Sequence, residues 1–215
     1  NYAPVAVDDN YITSEDTSIA LTPLTTGLDT DADGDTLVIT NINGDNVYLG
    51  VAEPVSVPNG TIDYSATGDL LFTPDADFNG SISFPYTIED GNGGTATATI
   101  TILVNAVNDT PVAVDNNYTT DENTTVTLSP LTGASDPDGD ALTIASINGQ
   151  ALLGGVQTIP VTNGTVNIDV NDVITFTPDT NFNGAVSFPY EISDGNGGIA
   201  SANLNITVSN VNDAP

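Results

Sequence analysis

Along residues 95–104, "TATATITILV", apolar and polar positions alternate: Ala96, Ala98, Ile100, Ile102 and Val104 share one face, and Thr95, Thr97, Thr99, Thr101 and Leu103 share the other. A period of two is the pleat of a half-buried β-strand. The pattern returns later with Ala200, Ala202, Leu204, Ile206 and Val208 on the inward face. Phe84, Tyr86 and Ile88 mark a further inward face, where Pro85, lacking an N–H, predicts an edge strand or a bulge. Asn43-Gly44 and Asn148-Gly149 are hairpin turn signals. With no convincing helical period and about seven short strands per half of the chain, the pattern predicts an all-β fold built from antiparallel β-sandwiches.

The halves are two copies of one unit. "APVAVDDNY" from Ala3 corresponds to "TPVAVDNNY" from Thr110, and "DADGDTL" from Asp31 to "DPDGDAL" from Asp136. "FTPDADFNGSISFPYTIEDGNGG" from Phe72 corresponds to "FTPDTNFNGAVSFPYEISDGNGG" from Phe176. Such self-similarity marks a repeat architecture, with domains at about 1–108 and 109–215. A sandwich of that size can bury an adequate core without disulfides.

Charge narrows the function. The chain carries 29 Asp and Glu against no Lys, Arg or His, a formal charge of −29. Nucleic acid needs cationic side chains facing its phosphates, so it is excluded as a partner, and anionic membrane surfaces are disfavoured. The expected partners are cations, or water and salt. The hydrophobic fraction of 39% separates the chain from disordered acidic segments. Cysteine is absent, so no disulfide or thiol chemistry is available. No apolar stretch reaches the roughly 18 residues that span a bilayer. Without an initiator Met or a sorting signal, the chain reads as an excerpt from a longer protein.

A solvated acidic surface is the plain explanation of the charge, and the repeat tests it. Acids recur at equivalent places in Asp8/Asp115, Glu15/Glu122, Asp31/Asp136, Asp33/Asp138, Asp35/Asp140, Asp75/Asp179, Asp90/Asp194 and Asp109/Asp213. Asp45, Glu53, Asp63 and Glu89 do not recur and fit the plain explanation. The recurring set points to metal. "DTDADG" at 29–34 opens like an EF-hand loop, but its twelfth position is Thr40 and the second copy has Ala134 in place of Asp29.

Each copy instead resembles a cadherin repeat, in particular the bacterial cadherin-like repeats found in tandem in large secreted adhesins. The resemblance rests on Glu15 and Glu122 near the start, on "DAD" and "DPD", on "PDAD", on the "DGNGG" turns and on the closing "VND-x-P". It implies Ca²⁺ between successive repeats. The upstream repeat would supply the early Glu, the paired acids and the linker; the downstream one would supply D-x-D and the Asp-Gly aspartate. The joint at "NAVNDTP" would then gather Glu15, Asp75, Asp77, Asn108, Asp109, Asp136, Asp138 and Asp194. Asp31, Asp33 and Asp90 would face a preceding repeat, and Glu122, Asp179, Asn181 and Asp213 a following one. Asn181 stands where the first copy has Asp77, and the joint is one residue shorter than in typical cadherins, so the number of ions per joint stays open.

Elementary electrostatics agrees with this. Two carboxylates about 4 Å apart repel by about 4 kcal/mol at an effective dielectric near ~20. With no basic side chain present, metal or protonation must relieve that repulsion, and hard oxygen donors select Ca²⁺. The expected function is a calcium-stiffened extender of a bacterial cell-surface adhesin, extracellular, whose partners are calcium ions and neighbouring repeats. A carbohydrate-binding module is the alternative; its platform would have to come from the unpaired Tyr2, Tyr48 and Tyr64, since there is no Trp. Catalysis is not expected, because His, Cys and Lys are all absent.

Overall fold

The alternation at 95–104 becomes a long interior strand of one sheet. The computed structural model describes residues 1–212, and the chain divides into two units, Asn1–Val107 and the part from Asn108 onward. The first unit contains β1 Asp9–Ser14, β2 Ile19–Leu21, a single helical turn α1 Pro23–Thr26, β3 Val38–Ile42, β4 Asp45–Asn46, β5 Glu53–Val57, β6 Gly60–Tyr64, β7 Leu70–Pro74, β8 Gly80–Glu89 and β9 Thr95–Asn105. The second contains β10 Asn116–Asp121, β11 Val126–Leu128, β12 Thr143–Ile147, β13 Gln150–Ala151, β14 Gln157–Val161, β15 Gly164–Ile168, β16 Ile174–Pro178, β17 Gly184–Ser193 and β18 Ile199–Ser209.

Each unit is a two-sheet sandwich. In the first, a five-stranded sheet runs β1-β9-β8-β3-β4 and a four-stranded sheet runs β2-β7-β6-β5. The second repeats this as β10-β18-β17-β12-β13 and β11-β16-β15-β14. Nine strands per unit exceed the expected seven because β2 and β4, of 3 and 2 residues, are too short to leave a periodic signal. The first strand of each unit lies parallel to the last, and the remaining pairs are antiparallel.

The inward faces close the cores. Ala98, Ile100, Ile102 and Val104 are buried with Phe84, Tyr86 and Ile88, as are Leu204, Ile206 and Val208 with Phe188, Tyr190 and Ile192. Asn43 and Gly44 both adopt positive φ, 51° and 95°, as the tight β3–β4 hairpin requires, and Asn148 and Gly149 do the same.

Pro85 departs from expectation. Its strand β8 is interior, paired with β9 on one side and β3 on the other. The proline is tolerated because β3 ends at Ile42, and Asn43 then donates its N–H to the Pro85 carbonyl at 2.8 Å as the chain turns away. Within a strand a residue's nitrogen and carbonyl point to the same side, so the missing N–H falls where the ladder has already stopped. Pro189 repeats this through Asn148 N–H, also at 2.8 Å.

Gly60 and Gly164, which open β6 and β15, lie against the rings of Phe72 and Phe176. A Cβ on Gly164 would stand 2.5 Å from the Phe176 ring and 2.7 Å from the Thr177 carbonyl. Gly164→Ala should therefore destabilise the second unit by about 1–3 kcal/mol, the range for overpacking a filled core. Urea denaturation should show the midpoint of that unit's transition falling at unchanged slope.

Candidate functional site

Strand length sets the geography of each unit. β9 starts at Thr95, just after the Asp90–Gly94 loop, and runs 11 residues to Asn105. At about 3.3 Å per residue its ends lie far apart, so each sandwich has a leading end and a trailing end. The acids expected from the sequence divide between these ends.

At the leading end of the first unit, the Asp31 side chain folds back on its own turn. Its Oδ1 accepts the N–H groups of Asp33 at 2.8 Å and Asp35 at 3.2 Å. Asp90, buried at the start of its loop, accepts N–H from Asn92 at 2.8 Å and Gly94 at 2.9 Å, while its Oδ2 accepts the Asn1 side-chain amide at 2.9 Å. Asp33 accepts the N–H of Tyr2 at 2.6 Å, and Asp35 accepts the Asn92 amide at 2.9 Å. Carboxylate oxygens of Asp31, Asp35 and Asp90 come within 4.8 Å of one another.

The second unit rebuilds the same constellation. Asp136 accepts N–H from Asp138 at 3.0 Å and Asp140 at 3.2 Å, Asp138 accepts the N–H of Asp109 at 2.8 Å, and Asp140 accepts the Asn196 amide at 2.7 Å. Asp194 takes N–H groups from Asn196, Gly197 and Gly198 and the Asn108 amide at 2.8 Å. Carboxylate oxygens of Asp136, Asp138 and Asp140 also gather within 4.8 Å. The "DGNGG" turn serves this purpose: a Cβ on Gly94 or Gly198 would run into the carboxylate of Asp90 or Asp194.

One atom in each constellation lacks a donor. Asp31 Oδ2 and Asp136 Oδ2 are shut off from solvent and have no hydrogen-bond partner, at the same place in both repeats. A shielded carboxylate oxygen without a donor is costly unless a cation or a proton meets it. The surrounding donors are all oxygen, with no His or Cys in the chain, a set that fits a hard ion such as Ca²⁺.

At the trailing end, Glu15 and Glu122 are buried and bind the outgoing chain. Glu15 accepts the N–H of Val107 and, at 3.4 Å, the Asn79 amide; its own N–H donates to the Asn105 carbonyl at 2.9 Å. Glu122 accepts the N–H of Val211 at 2.5 Å and the Asn210 amide at 3.0 Å. Asp75 and Asp179 are exposed and open the turns that lead to Asp77 and Asn181. Those two residues share a left-handed backbone, φ 56° and 57°, which Asp and Asn both tolerate. Asn123 and Asn181 bind each other reciprocally at 2.9 and 3.0 Å, whereas Asp77 reaches Asp16 only through its N–H at 3.4 Å. Asp213 lies outside the described residues.

Some residues of these constellations were hidden in the sequence. Asp35 and Asp140 recur, yet their place beside Asp31 and Asp136 follows only from the turn. Asn92 and Asn196, inside "DGNGG", were signalled only by their repetition. Conversely, Asp8 and Asp115 recur for a structural reason, accepting the N–H of Thr99 at 2.9 Å and Asn203 at 2.7 Å where the first strand has not yet begun to pair.

With this geometry in hand, comparison places the chain. It matches the bacterial Ig domain family over residues 1–103 and again over 108–207. The chain belongs to that family, as two tandem copies. Among solved structures it is similar to mouse cadherin-23 EC22-24, at 14% identity over 97% of this chain and 64% of that one, with a TM-score of 0.53. It is also similar to Drosophila N-cadherin EC1-4, at 16% identity, 98% and 50% coverage and a TM-score of 0.50. An endo-fucoidan hydrolase from glycoside hydrolase family 107 aligns at 21% identity and a TM-score of 0.35, and the chain spans 29% of its length. No curated protein matches the chain. The fold is thus that of bacterial Ig-like domains with cadherin-like architecture.

The amides at the leading ends have a measurable effect. The Asn108 amide, ahead of the Asn196, Gly198 and Gly197 N–H groups, holds the Asp194 carboxyl below the usual carboxylate range. This contribution to stability is present above the ordinary value and is lost as pH falls through the lowered one. Asn108→Ala should move the Asp194 titration up toward the ordinary range, as read from its side-chain carbonyl shift by NMR in the presence of a chelator.

Proposed function

We propose that the chain, as repeats at about 1–108 and 109–215, is a calcium-binding extender segment of a bacterial cell-surface adhesin. The observation that carries this reading is the pair of shielded, donorless oxygens, Asp31 Oδ2 and Asp136 Oδ2, each set among further carboxylates in a chain without a basic side chain. Sequence continuity adds support. Val107, whose N–H binds the trailing Glu15, is followed directly by Asn108, whose amide binds the leading Asp194. The linker therefore carries groups of both kinds within two residues.

In this reading Ca²⁺ is held by the trailing set Glu15, Asp75 and Asp77 together with the leading set Asn108, Asp109, Asp136, Asp138 and Asp194. The leading set Asp31, Asp33 and Asp90 and the trailing set Glu122, Asp179, Asn181 and Asp213 serve neighbouring repeats. Calcium stiffens the array so that it projects a distal adhesive domain from the cell. The role in this reading is mechanical, and the side chains committed to turns and strand ends support it.

The carbohydrate alternative loses one of its aromatics. Tyr64 is 2% exposed and packs into the core, so it offers no face for a sugar ring, while Tyr48 stands exposed at 62%.

Calorimetric titration of the two-repeat chain should show calcium uptake with Kd on the order of 10⁻⁴ to 10⁻³ M, the range of extracellular modules. Asp136→Asn should weaken it. Small-angle scattering should give a longer, narrower particle with millimolar calcium than with a chelator. An absence of uptake removes the proposal; uptake with an unchanged scattering profile removes the stiffening role alone.

A further inference from the structure

Away from both ends, the first repeat buries an acid that the second repeat lacks. Asp9 on β1 is 1% exposed. Its Oδ2 lies 3.0 Å from the hydroxyl of Tyr86, itself fully buried, and that hydroxyl also lies 2.9 Å from Asp29 Oδ2 and 3.1 Å from the Val7 carbonyl. Asp29 is anchored as an acceptor, because its Oδ1 takes the N–H of Val7 at 2.8 Å. Asp9 Oδ1 sits beside Gly27 without a hydrogen bond of ordinary geometry. Three acceptors thus surround one tyrosine proton, which can serve only one of them well.

The second repeat shows what the position requires. Asn116 replaces Asp9 and Ala134 replaces Asp29. The two N–H groups of the Asn116 amide serve the Val114 carbonyl at 3.0 Å and the Pro130 carbonyl at 3.1 Å, with the Tyr190 oxygen a longer third contact at 3.3 Å, while Tyr190 passes its own proton to Val114 at 2.7 Å. The residue at this position is a donor to the acceptors gathered around the tyrosine. Asp9 can fill that role only by carrying a proton.

We propose that Asp9 is held as a neutral carboxylic acid whose O–H donates to the Tyr86 oxygen while Tyr86 donates to Asp29, and that loss of this proton destabilises the first repeat but not the second. Every hydroxyl then has a direction: acid to tyrosine, tyrosine to carboxylate. The titratable groups facing Asp9 are Tyr86 from β8, Asp29 from the segment after α1 and its own neighbour Asp8. None is cationic, so nothing there favours the ionised form by charge. Burial, opposed in part by the Tyr86 hydroxyl and the Gly27 N–H, pushes the Asp9 carboxyl up from its ordinary range, with the Asp29 charge adding to the rise. An acid raised in the folded state contributes its stability fully below the unfolded value and loses it as pH rises through the folded value. The first repeat therefore weakens on the alkaline side of that value, opposite in sign to the leading-end aspartates.

The test uses the whole chain with a chelator present, so that metal does not compete. Asp carboxyl carbons are followed against pH by NMR, and unfolding of each repeat is read by hydrogen exchange of its own peptides. Asp9 should titrate above the other carboxyls, beyond the ordinary scatter of such values. Asp9→Asn should remove that titration and flatten the pH dependence of the first repeat, leaving the second unchanged. Asn116→Asp should introduce a raised titration in the second repeat. Should Asp9→Asn fail to fold, the wild-type Asp9 resonance decides by itself. An Asp9 that titrates with the ordinary carboxyls overturns the proposal, as does a raised titration that persists in Asp9→Asn.

Discussion

A chain with 29 carboxylates and no Lys, Arg or His must settle each negative charge without a cationic side chain. Three means remain: water, N–H groups supplied by the fold, and an external cation or proton. Acids exposed on strand faces, such as Asp63, use water. Acids at turns use the backbone, as Asp90 and Asp194 do by collecting the N–H groups of their glycine loops. Only where burial removes the water and geometry withholds the N–H does the third means become necessary. Asp31, Asp136 and Asp9 each expose that shortage in a single oxygen.

Asparagine acts as the chain's neutral substitute for a basic residue. Asn1 and Asn108 bind Asp90 and Asp194, Asn92 and Asn196 bind Asp35 and Asp140, and Asn79 and Asn210 bind Glu15 and Glu122. An amide supplies the donor a carboxylate wants without cancelling its charge. The acids are thereby oriented while the net negative potential is kept, which a salt bridge to Lys or Arg would quench. The result is a site that is preorganised yet still charged.

Much of this was legible in the sequence because the repeat acts as its own control. Alternation located β8, β9, β17 and β18, and recurrence separated acids such as Asp31 and Asp90 from unrepeated ones such as Asp45. What stayed hidden depends on where neighbouring strands stop. Pro85 reads as an edge residue, and its strand is interior only because β3 ends one residue short of it. Asp8 recurs like a metal ligand, but its carboxylate completes the ladder at Thr99. Recurrence reveals that a side chain is needed, and only the fold reveals what it is needed for.

The places where the two copies disagree make the same point from the other side. Asp9, Asp16 and Asp77 of the first repeat become Asn116, Asn123 and Asn181 in the second. The exchange of oxygen for NH₂ leaves shape nearly unchanged, removes a charge and adds a donor. Asn116 then satisfies the Val114 and Pro130 carbonyls, and Asn123 and Asn181 lock onto each other through two hydrogen bonds where Asp16 and Asp77 have a single long one. Each substitution converts a carboxylate position into one that closes through an amide donor. The trailing end of the second repeat therefore has Asn123 and Asn181 where the first has two carboxylates, and its buried tyrosine meets an amide where Tyr86 meets an acid. Two repeats of one fold can in this way differ in charge and in hydrogen bonding through single-atom changes at a few sites, with no change in architecture.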